Sequence, residues 1–377
     1  MPWTEVSIMD AREEFCQLAL KEGPTVRELC RRFGISPTTG YLWLRRYQQE
    51  GREGLINRSK RPQTSPRRTS REVEEAVIAL RKQHPAWGGR KLRCVLLREG
   101  MPSPSRSTIT TILQRHGLLS PAEVTHRPWS RFEAAFPNAL WQMDYKGHFP
   151  LVRGGRCHPF TVLDDHARFA LGIRALSNER THSVKGELIS IFQRYGLPNR
   201  ILCDNGPPWG SSSPGAFTQL AVWLLHLDII PSHGRPFHPQ TQGKDERFHR
   251  TLQAEVLATR SFQTLDHVQE TLDQWRHTYN HVRPHEAIGL VPPIARYTPS
   301  PRPYPEQLPA IEYPETDVVR RVTSRGVINL WGRHYYLGEG FYGYPVAVRP
   351  SAEEGIHTVF FRHYAITNID QSASLTL

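Results

Sequence analysis

The stretch P-F-H-P-Q-T-Q-G-K-D-E-R-F-H-R-T-L, residues 236–252, changes from loop to helix at one point. Pro236, Pro239 and Gly243 disfavour a regular element in its first half. The turn residues then stop, and the pattern predicts a helix over residues 244–259. Apolar residues recur there at a spacing of four, at Phe248, Leu252 and Val256.

Two adjacent carboxylates, Asp245 and Glu246, lie in the first turn of this predicted helix. Cationic or titratable side chains surround them, namely Lys244, Arg247, His249 and Arg250. A carboxylate in such a setting suits a divalent metal beside a phosphate backbone. A solvated helix N-terminus explains the same residues, since acidic side chains are favourable near the positive end of the helix dipole.

Two further acids favour the metal interpretation. Asp144 in L-W-Q-M-D-Y-K-G and Asp204 in R-I-L-C-D-N-G each end a short apolar run and precede a turn signal. A buried strand that ends on an Asp presents that carboxylate at the edge of a sheet. Three carboxylates can hold two Mg²⁺ or Mn²⁺ ions about 3.5–4 Å apart, and oxygen ligands suit such hard cations.

The three motifs W-Q-M-D, C-D-N-G and H-P-Q-T-x-G-K-x-E-R-x-H-R-T-L together resemble the catalytic core of the DDE transposases and retroviral-type integrases. The likeness is greatest to bacterial insertion-sequence transposases and spans roughly residues 25–293. It implies that Asp144, Asp204 and Glu246 form the catalytic, metal-binding triad with two Mg²⁺ or Mn²⁺ ions. The family motif G-K-x-E-R selects Glu246 over Asp245, which periodicity alone does not.

Composition is typical of a protein that binds a polyanion. The 377-residue chain carries a net charge of +12, and residues 1–130 hold 23 Lys and Arg against 13 Asp and Glu. No apolar run approaches the ~20 residues of a membrane helix, and we expect no signal peptide. The five cysteines form no C-x-x-C motif, which argues against a zinc site or disulfide framework and fits a reducing cytoplasm.

The first domain, residues 1–56, is predicted to be a helix-turn-helix. Thr25 with Glu28 forms a capping box, Gly34-Ile35-Ser36 makes a turn, and Pro37 opens the helix that would enter the major groove. The candidate DNA contacts are Thr38, Thr39, Tyr41 and Arg45, and the candidate core positions are Leu42, Leu44 and Tyr47. A three-helix packing module that does not bind DNA is the alternative.

Residues 57–69 are predicted to be a basic linker, and residues 70–120 a second helix-turn-helix-like domain. Its W-G-G-R-K-L stretch resembles the second DNA-binding unit of the same transposases. Candidate DNA contacts there are Arg106, Ser107 and Thr110. A helical spacer is the alternative.

Residues 129–298 are expected to form the core. Its pattern of three strands, a helix, a strand and later helices matches an RNase H-like α/β fold, in which the first and fourth strands lie side by side. The first strand is predicted over residues 140–149, with a turn or bulge at Lys146-Gly147. Asp164 and Asp165, the rival ligands, are interpreted as turn formers. Phosphate contacts are expected from Lys244, Arg247 and Arg250. Arg283 and His285 either contact phosphate or close the core.

A Pro-rich linker over residues 299–317 precedes five short predicted strands in residues 318–377, which suggest a small β-barrel. The resemblance would make this barrel a DNA-binding or assembly domain.

These features predict a bacterial, cytoplasmic and nucleoid-associated transposase. It would bind the terminal repeats of a mobile element and cut and join double-stranded DNA as at least a dimer. A non-catalytic DNA-binding regulator is the main alternative. A nuclease of RNase H type and a retroviral integrase are disfavoured, because two DNA-reading modules are expected and no His/Cys zinc cluster is present.

Overall fold

A computed structural model describes residues 7–21, 23–59, 69–119, 133–206, 208–210, 217–233 and 243–371. The chain divides into two compact units, residues 1–68 and 69–377. Much of the predicted basic linker and of the polar loop before Glu246 lies outside the described residues.

The described part of the first unit contains three α-helices, α1 (Ile8–Ala19), α2 (Val26–Arg32) and α3 (Pro37–Glu50), and a 3-10 helix, Gly51–Leu55. The predicted capping box is confirmed, because the Thr25 N–H donates to the Glu28 carboxylate over 3.0 Å. Ser36 caps α3 by accepting from the Thr39 N–H. The helix-turn-helix geometry therefore follows from cap residues that are readable in the sequence.

The unit is centred on Phe15, Leu29 and Cys30, with Leu44 and Tyr47 of α3 packed against them. Leu42, however, is exposed, so its prediction as a core residue is wrong. Leu42 lies on the outer face of α3 together with Thr38 and Tyr41. The inner face of the helix is formed by other residues, such as Leu44 and Tyr47.

The second unit begins with three helices, α4 (Arg71–Gln83), α5 (Gly89–Arg98) and α6 (Arg106–Arg115). Val77, Trp87, Leu92 and Ile109 are among their buried core residues. These helices confirm the predicted three-helix pattern.

The central sheet contains β1 (Trp141–Tyr145), β2 (Phe149–Pro150), β3 (Arg156–Asp164), β4 (Ala170–Leu176), β5 (Arg200–Cys203) and β6 (Ile230–His233). Its order is β2-β3-β1-β5-β6, with β4 also paired to β3. β1 is antiparallel to β3 and parallel to β5. The predicted strand over residues 140–149 is therefore interrupted after Tyr145, where Gly147 adopts a φ of +83°.

Helices α7 (Thr181–Tyr195), α8 (Gln219–His226), α9 (Gly243–Glu255) and α10 (Leu265–His281) cover this sheet. Side chains alternate between the two faces of a strand. Thus Phe160 and Val162 of β3 pack with α7 and α8, whereas Cys157 and Leu163 pack with α9 and α10. This packing places α9 beside β1 and β3.

The C-terminal strands are β7 (Val318–Arg321), β8 (Val327–Leu330), β9 (Arg333–Tyr336), β10 (Pro345–Pro350), β11 (Ile356–Phe361) and β12 (Tyr364–Asp370). They form a four-stranded sheet, β12-β11-β10-β7, and a separate β8-β9 hairpin. No pairing among the described strands closes these sheets into the predicted barrel. β12 was not among the five predicted strands. The domain shares a hydrophobic core with Val222 and Leu225 of α8.

The predicted Pro-rich linker packs against the central α/β domain. The Arg302 guanidinium donates to the carbonyls of Leu227 and Asp228 over 2.8 and 2.9 Å, and the Ser300 hydroxyl donates to the Leu197 carbonyl over 2.6 Å. In the described part of the chain, no helix has the length and apolar character required to cross a bilayer.

Candidate active site

The parallel pairing of β1 with β5 aligns two of the predicted acids. Gln142 lies opposite Leu202 in the register. Asp144 in β1 and Asp204, immediately after the end of β5, each follow this pair by two residues and therefore reach the same edge of the sheet. The resemblance implied that the strands leading to Asp144 and Asp204 lie side by side, and the pairing of β1 with β5 confirms this.

Asp144 is a partly buried carboxylate. Its Oδ1 accepts from the Tyr145 N–H over 2.7 Å. Burial, with a contribution from the negative charges of Asp204 and Glu179, raises the pKa of Asp144 to about 6. A neighbouring cation would favour the ionised form of this group.

Glu246 and Asp144 line one groove, together with Tyr145, Lys146, Gly147, His249, Arg250 and Gln253. The Glu246 side chain is 72% exposed, and its carboxylate pairs with Arg250 over 3.3 Å. Asp204 is also exposed. No group of three His, Cys, Asp or Glu side chains within the described residues is arranged to hold a metal ion.

Asp245, the neighbouring acid, is only 2% exposed and faces the interior. Burial raises its pKa well above the usual value, and the charges of Asp144 and Asp165 add to this effect. Helix geometry therefore turns Glu246 toward the groove and Asp245 away from it, a distinction that periodicity did not provide.

The rival acids at the β3–β4 turn have structural partners. Asp164 accepts from the backbone N–H groups of Asn138 and Ala167 over 2.7 and 2.6 Å. Asp165 accepts from the Ala134 N–H and the Gln142 amide, each over 2.7 Å. These contacts agree with their interpretation as turn residues.

Three cations were predicted to contact phosphate near the site. Arg247 and Arg250 are exposed. The Lys244 ammonium instead pairs with the fully buried carboxylate of Asp165. A phosphate contact by Lys244 stays a prediction, and it would compete with this ion pair.

The predicted DNA contacts on the two helix-turn-helix modules are mostly accessible. Thr38, Tyr41 and Arg45 are exposed on α3, and Arg106, Ser107 and Thr110 are exposed on α6. Thr39 is half-buried, and its hydroxyl lies 2.8 Å from that of Ser36. Its role at the helix cap leaves it less available to a base than its neighbours.

His249 lines the same groove as Asp144 and Glu246, although no role was predicted for it from the sequence. It is 7% exposed, and its Nε2 lies 2.8 Å from the Thr161 hydroxyl. Burial, helped by the charge of Lys146, lowers the pKa of His249 to about 4. Its position three residues after Glu246, on the same side of the helix, was the available sequence signal.

Profiles of known families match most of this chain. A helix-turn-helix domain profile matches residues 12–63, and a homeodomain-like domain profile matches residues 39–113. Two integrase core domain profiles match residues 134–239 and 227–293. The profile of the C-terminal domain of IS481 family transposases matches residues 317–375.

Two proteins of insertion elements are similar to this chain over more than half of its length. An uncharacterized protein of insertion element IS476 from Xanthomonas euvesicatoria is 25% identical over 64% of this chain and 68% of its own length. An uncharacterized protein of insertion element IS407 from Burkholderia multivorans is 22% identical over 58% of this chain and 77% of its own. A chain of the simian T-cell lymphotropic virus intasome, 17% identical, aligns with 76% of this chain and 96% of its own at a TM-score of 0.38.

The helix-turn-helix modules, the integrase core and the insertion-sequence type of C-terminal domain occur here in one chain. Together with the insertion-element relatives, they place the protein among the bacterial insertion-sequence transposases of the retroviral integrase superfamily.

Proposed function

We propose that this protein binds the terminal inverted repeats of a mobile element, then cuts and joins DNA in a metal-dependent reaction at Asp144, Asp204 and Glu246. The observation that carries the proposal is the β1–β5 register, which sets Asp144 and Asp204 at equivalent ends of adjacent strands. Glu246 lines the same groove as Asp144.

The donor set fits a divalent cation. Carboxylate oxygens are hard ligands, and the raised pKa of Asp144 reflects a buried negative charge with acidic neighbours. Among the described residues, the Glu246 carboxylate is held by an exposed ion pair to Arg250 alone. Such pairs contribute about 0–1 kcal/mol, so rotation of Glu246 toward Asp144 costs little. A bound divalent metal would supply Lewis-acid stabilisation of the charge that develops on the phosphate.

In the proposed cleavage, a water oxygen attacks the phosphorus, the bond from phosphorus to the 3′-oxygen breaks, and that oxygen leaves as a 3′-hydroxyl. In strand transfer, the freed 3′-hydroxyl attacks a target phosphate by the same in-line substitution. A new phosphodiester bond forms, the target's own bond from phosphorus to its 3′-oxygen breaks, and that oxygen leaves as a 3′-hydroxyl with the proton that the attacking hydroxyl loses. Arg247 and Arg250 would position the phosphates in both steps. One site can therefore perform both reactions with different nucleophiles.

The helix-turn-helix modules would locate the element's ends in the bacterial cytoplasm through α3 and α6. The C-terminal sheets would add a DNA-binding or assembly surface, as the barrel interpretation predicted. Joining two ends in one reaction requires at least two protomers, so we infer a homo-oligomer assembled on DNA.

A non-catalytic DNA-binding regulator is the second candidate. It is favoured by the pairing of Glu246 with Arg250 and by the lack of a three-ligand cluster among the described residues. It would bind the same ends without cutting them.

Incubation with labelled duplex from the ends flanking the gene, in Mg²⁺ or Mn²⁺, separates these candidates. We expect cleavage at the element terminus by the wild type and none by Asp204→Asn, with equal DNA binding by both proteins. Specific binding without cleavage in either metal would instead support the regulator.

A further inference from the structure

The helix that carries Glu246 is tied to the sheet by buried polar contacts on both sides of that residue. Lys244, two residues before it, pairs with Asp165 at the end of β3. His249, three residues after it, contacts Thr161 within β3. The backbone of Glu246 is therefore held, whereas its side chain remains exposed and able to rotate.

Thr161 stands directly across from Asp144 in the β1–β3 register. Its hydroxyl donates to the Asp144 backbone carbonyl over 3.0 Å. A hydroxyl has one hydrogen, so the 2.8 Å contact between Thr161 and His249 requires the His249 Nε2–H to donate. This arrangement fixes the ring as the Nε2–H tautomer and leaves Nδ1 as an acceptor.

His249 Nδ1 then faces Asp144, at 3.9 Å from Oδ2. That separation is too long for a hydrogen bond. The side chain thus contacts the strand of Asp144 through Thr161, and it lines the groove that Asp144 and Glu246 share.

We propose that His249 is a positioning residue, which acts through Thr161 to hold the Glu246 turn of α9 at a fixed distance from Asp144. The inference rests on the proposed function, because it assigns His249 to the assembly of that metal site. Groups that orient metal ligands from outside the coordination shell typically affect metal affinity by 10–100-fold.

Two matched pairs of variants test this role. His249→Gln keeps an amide donor near the position of Nε2, whereas His249→Asn carries the same amide on a shorter side chain. Thr161→Ser keeps the hydroxyl, whereas Thr161→Val removes it at nearly constant volume. Thermal unfolding of all four proteins identifies any variant that fails to fold.

The first readout is Mn²⁺ affinity, measured by electron paramagnetic resonance of free Mn²⁺ without DNA. We expect about tenfold weaker binding in His249→Asn and Thr161→Val, and values within about threefold of wild type in His249→Gln and Thr161→Ser. The double variant His249→Asn/Thr161→Val should be no worse than either single change, because both break one link. Equal losses in His249→Gln and His249→Asn would overturn the proposal, as would unchanged affinity in all variants.

Hydrogen exchange of the amides of residues 246–250 provides a second readout that needs neither metal nor DNA. Faster exchange is expected in His249→Asn and Thr161→Val, but not in their conservative counterparts. If the wild type neither binds Mn²⁺ nor cuts DNA, the proposed function fails. The hydrogen-exchange measurement still tests whether the contact between His249 and Thr161 holds this turn of α9. Uniform exchange across the four variants would contradict it.

Discussion

Arg283 and Glu255 form an ion pair of 3.0 Å, with side chains only 8% and 10% exposed. Glu255 ends α9 and also accepts from the Trp275 indole N–H over 2.8 Å. This burial bears on the choice left open for Arg283. A guanidinium enclosed in this way closes the core and is poorly placed to contact a phosphate.

We predict that Arg283→Met lowers the free energy of unfolding by about 3 kcal/mol, because it leaves the Glu255 charge buried and unpaired. DNA affinity of the folded protein should stay within about twofold. Denaturant titration and fluorescence anisotropy measure the two quantities. Intact stability with a tenfold loss of DNA affinity would restore the phosphate-binding role.

His285 provides a pH test at the same scale. Its Nδ1 is enclosed without a hydrogen-bond partner among the described residues. Burial, followed by the positive charges of Arg283, Arg168, Lys91 and Arg247, lowers the pKa of His285 to about 3. In the unfolded chain a histidine has a pKa of about 6.5, so below that pH the unfolded state binds the proton preferentially.

The stability that His285 contributes is therefore complete above pH 6.5 and is lost as the pH falls toward 3. From pH 7.5 to pH 5 we expect the wild type to lose about 1–2 kcal/mol through this group, a loss absent in His285→Gln. The difference in pH dependence between the two proteins is the measurement. His281→Gln, at an exposed position on α10, is the control and should keep the wild-type dependence.

At the scale of elements, α3 must approach α1 and α2 closely at Gly40. A Cβ atom there would lie 2.4 Å from Cys30 Sγ and 2.9 Å from Phe15 Cζ. Alanine favours an exposed helix over glycine by about 1 kcal/mol, but the clash inside a packed core dominates here.

Gly40→Ala should destabilise its unit by about 1–3 kcal/mol. Gly186→Ala, at an exposed position of α7 with no heavy atom within 4 Å of the new Cβ, should stabilise α7 by about 0.5–1 kcal/mol. Hydrogen exchange of the α3 and α7 amides reports each effect locally. A stabilising Gly40→Ala would mean that α3 does not pack closely on α1 and α2.

Elements with strong local signals could be predicted from the sequence. The capping box of Thr25 and Glu28 located α2. The strand predicted over residues 140–149 extends past the observed end of β1 at Tyr145, and the break lies at the predicted turn or bulge of Lys146-Gly147. β12 alternates weakly in hydrophobicity and was missed for that reason.

Some features of the candidate site could likewise be predicted from local sequence motifs, whereas others could not. Asp144, Asp204 and Glu246 were recognisable because motifs surround them, and β-sheet order then brought two of them together. The pairing of Lys244 with Asp165 and the link between His249 and Thr161 join residues 79 and 88 positions apart. Such contacts depend on how α9 packs against the sheet, and no local pattern specifies them.

At the scale of the whole molecule, helix-turn-helix modules and an integrase core with a carboxylate site occur in one chain. We propose that Asp204, with Asp144 and Glu246, holds the catalytic metal. Replacement of Asp204 by a softer ligand tests that claim directly, because thiolates bind Mn²⁺ and other softer ions better than Mg²⁺.

We would therefore measure cleavage of terminal DNA by the wild type, Asp204→Cys and Asp204→Asn in Mg²⁺ and in Mn²⁺. The account predicts that the wild type cuts in both metals and that Asp204→Asn cuts in neither. Asp204→Cys should show no detectable cleavage in Mg²⁺, and its cleavage in Mn²⁺ should be at least tenfold above that level. If Asp204→Cys matches Asp204→Asn in both metals while the wild type cuts, metal binding by Asp204 is contradicted.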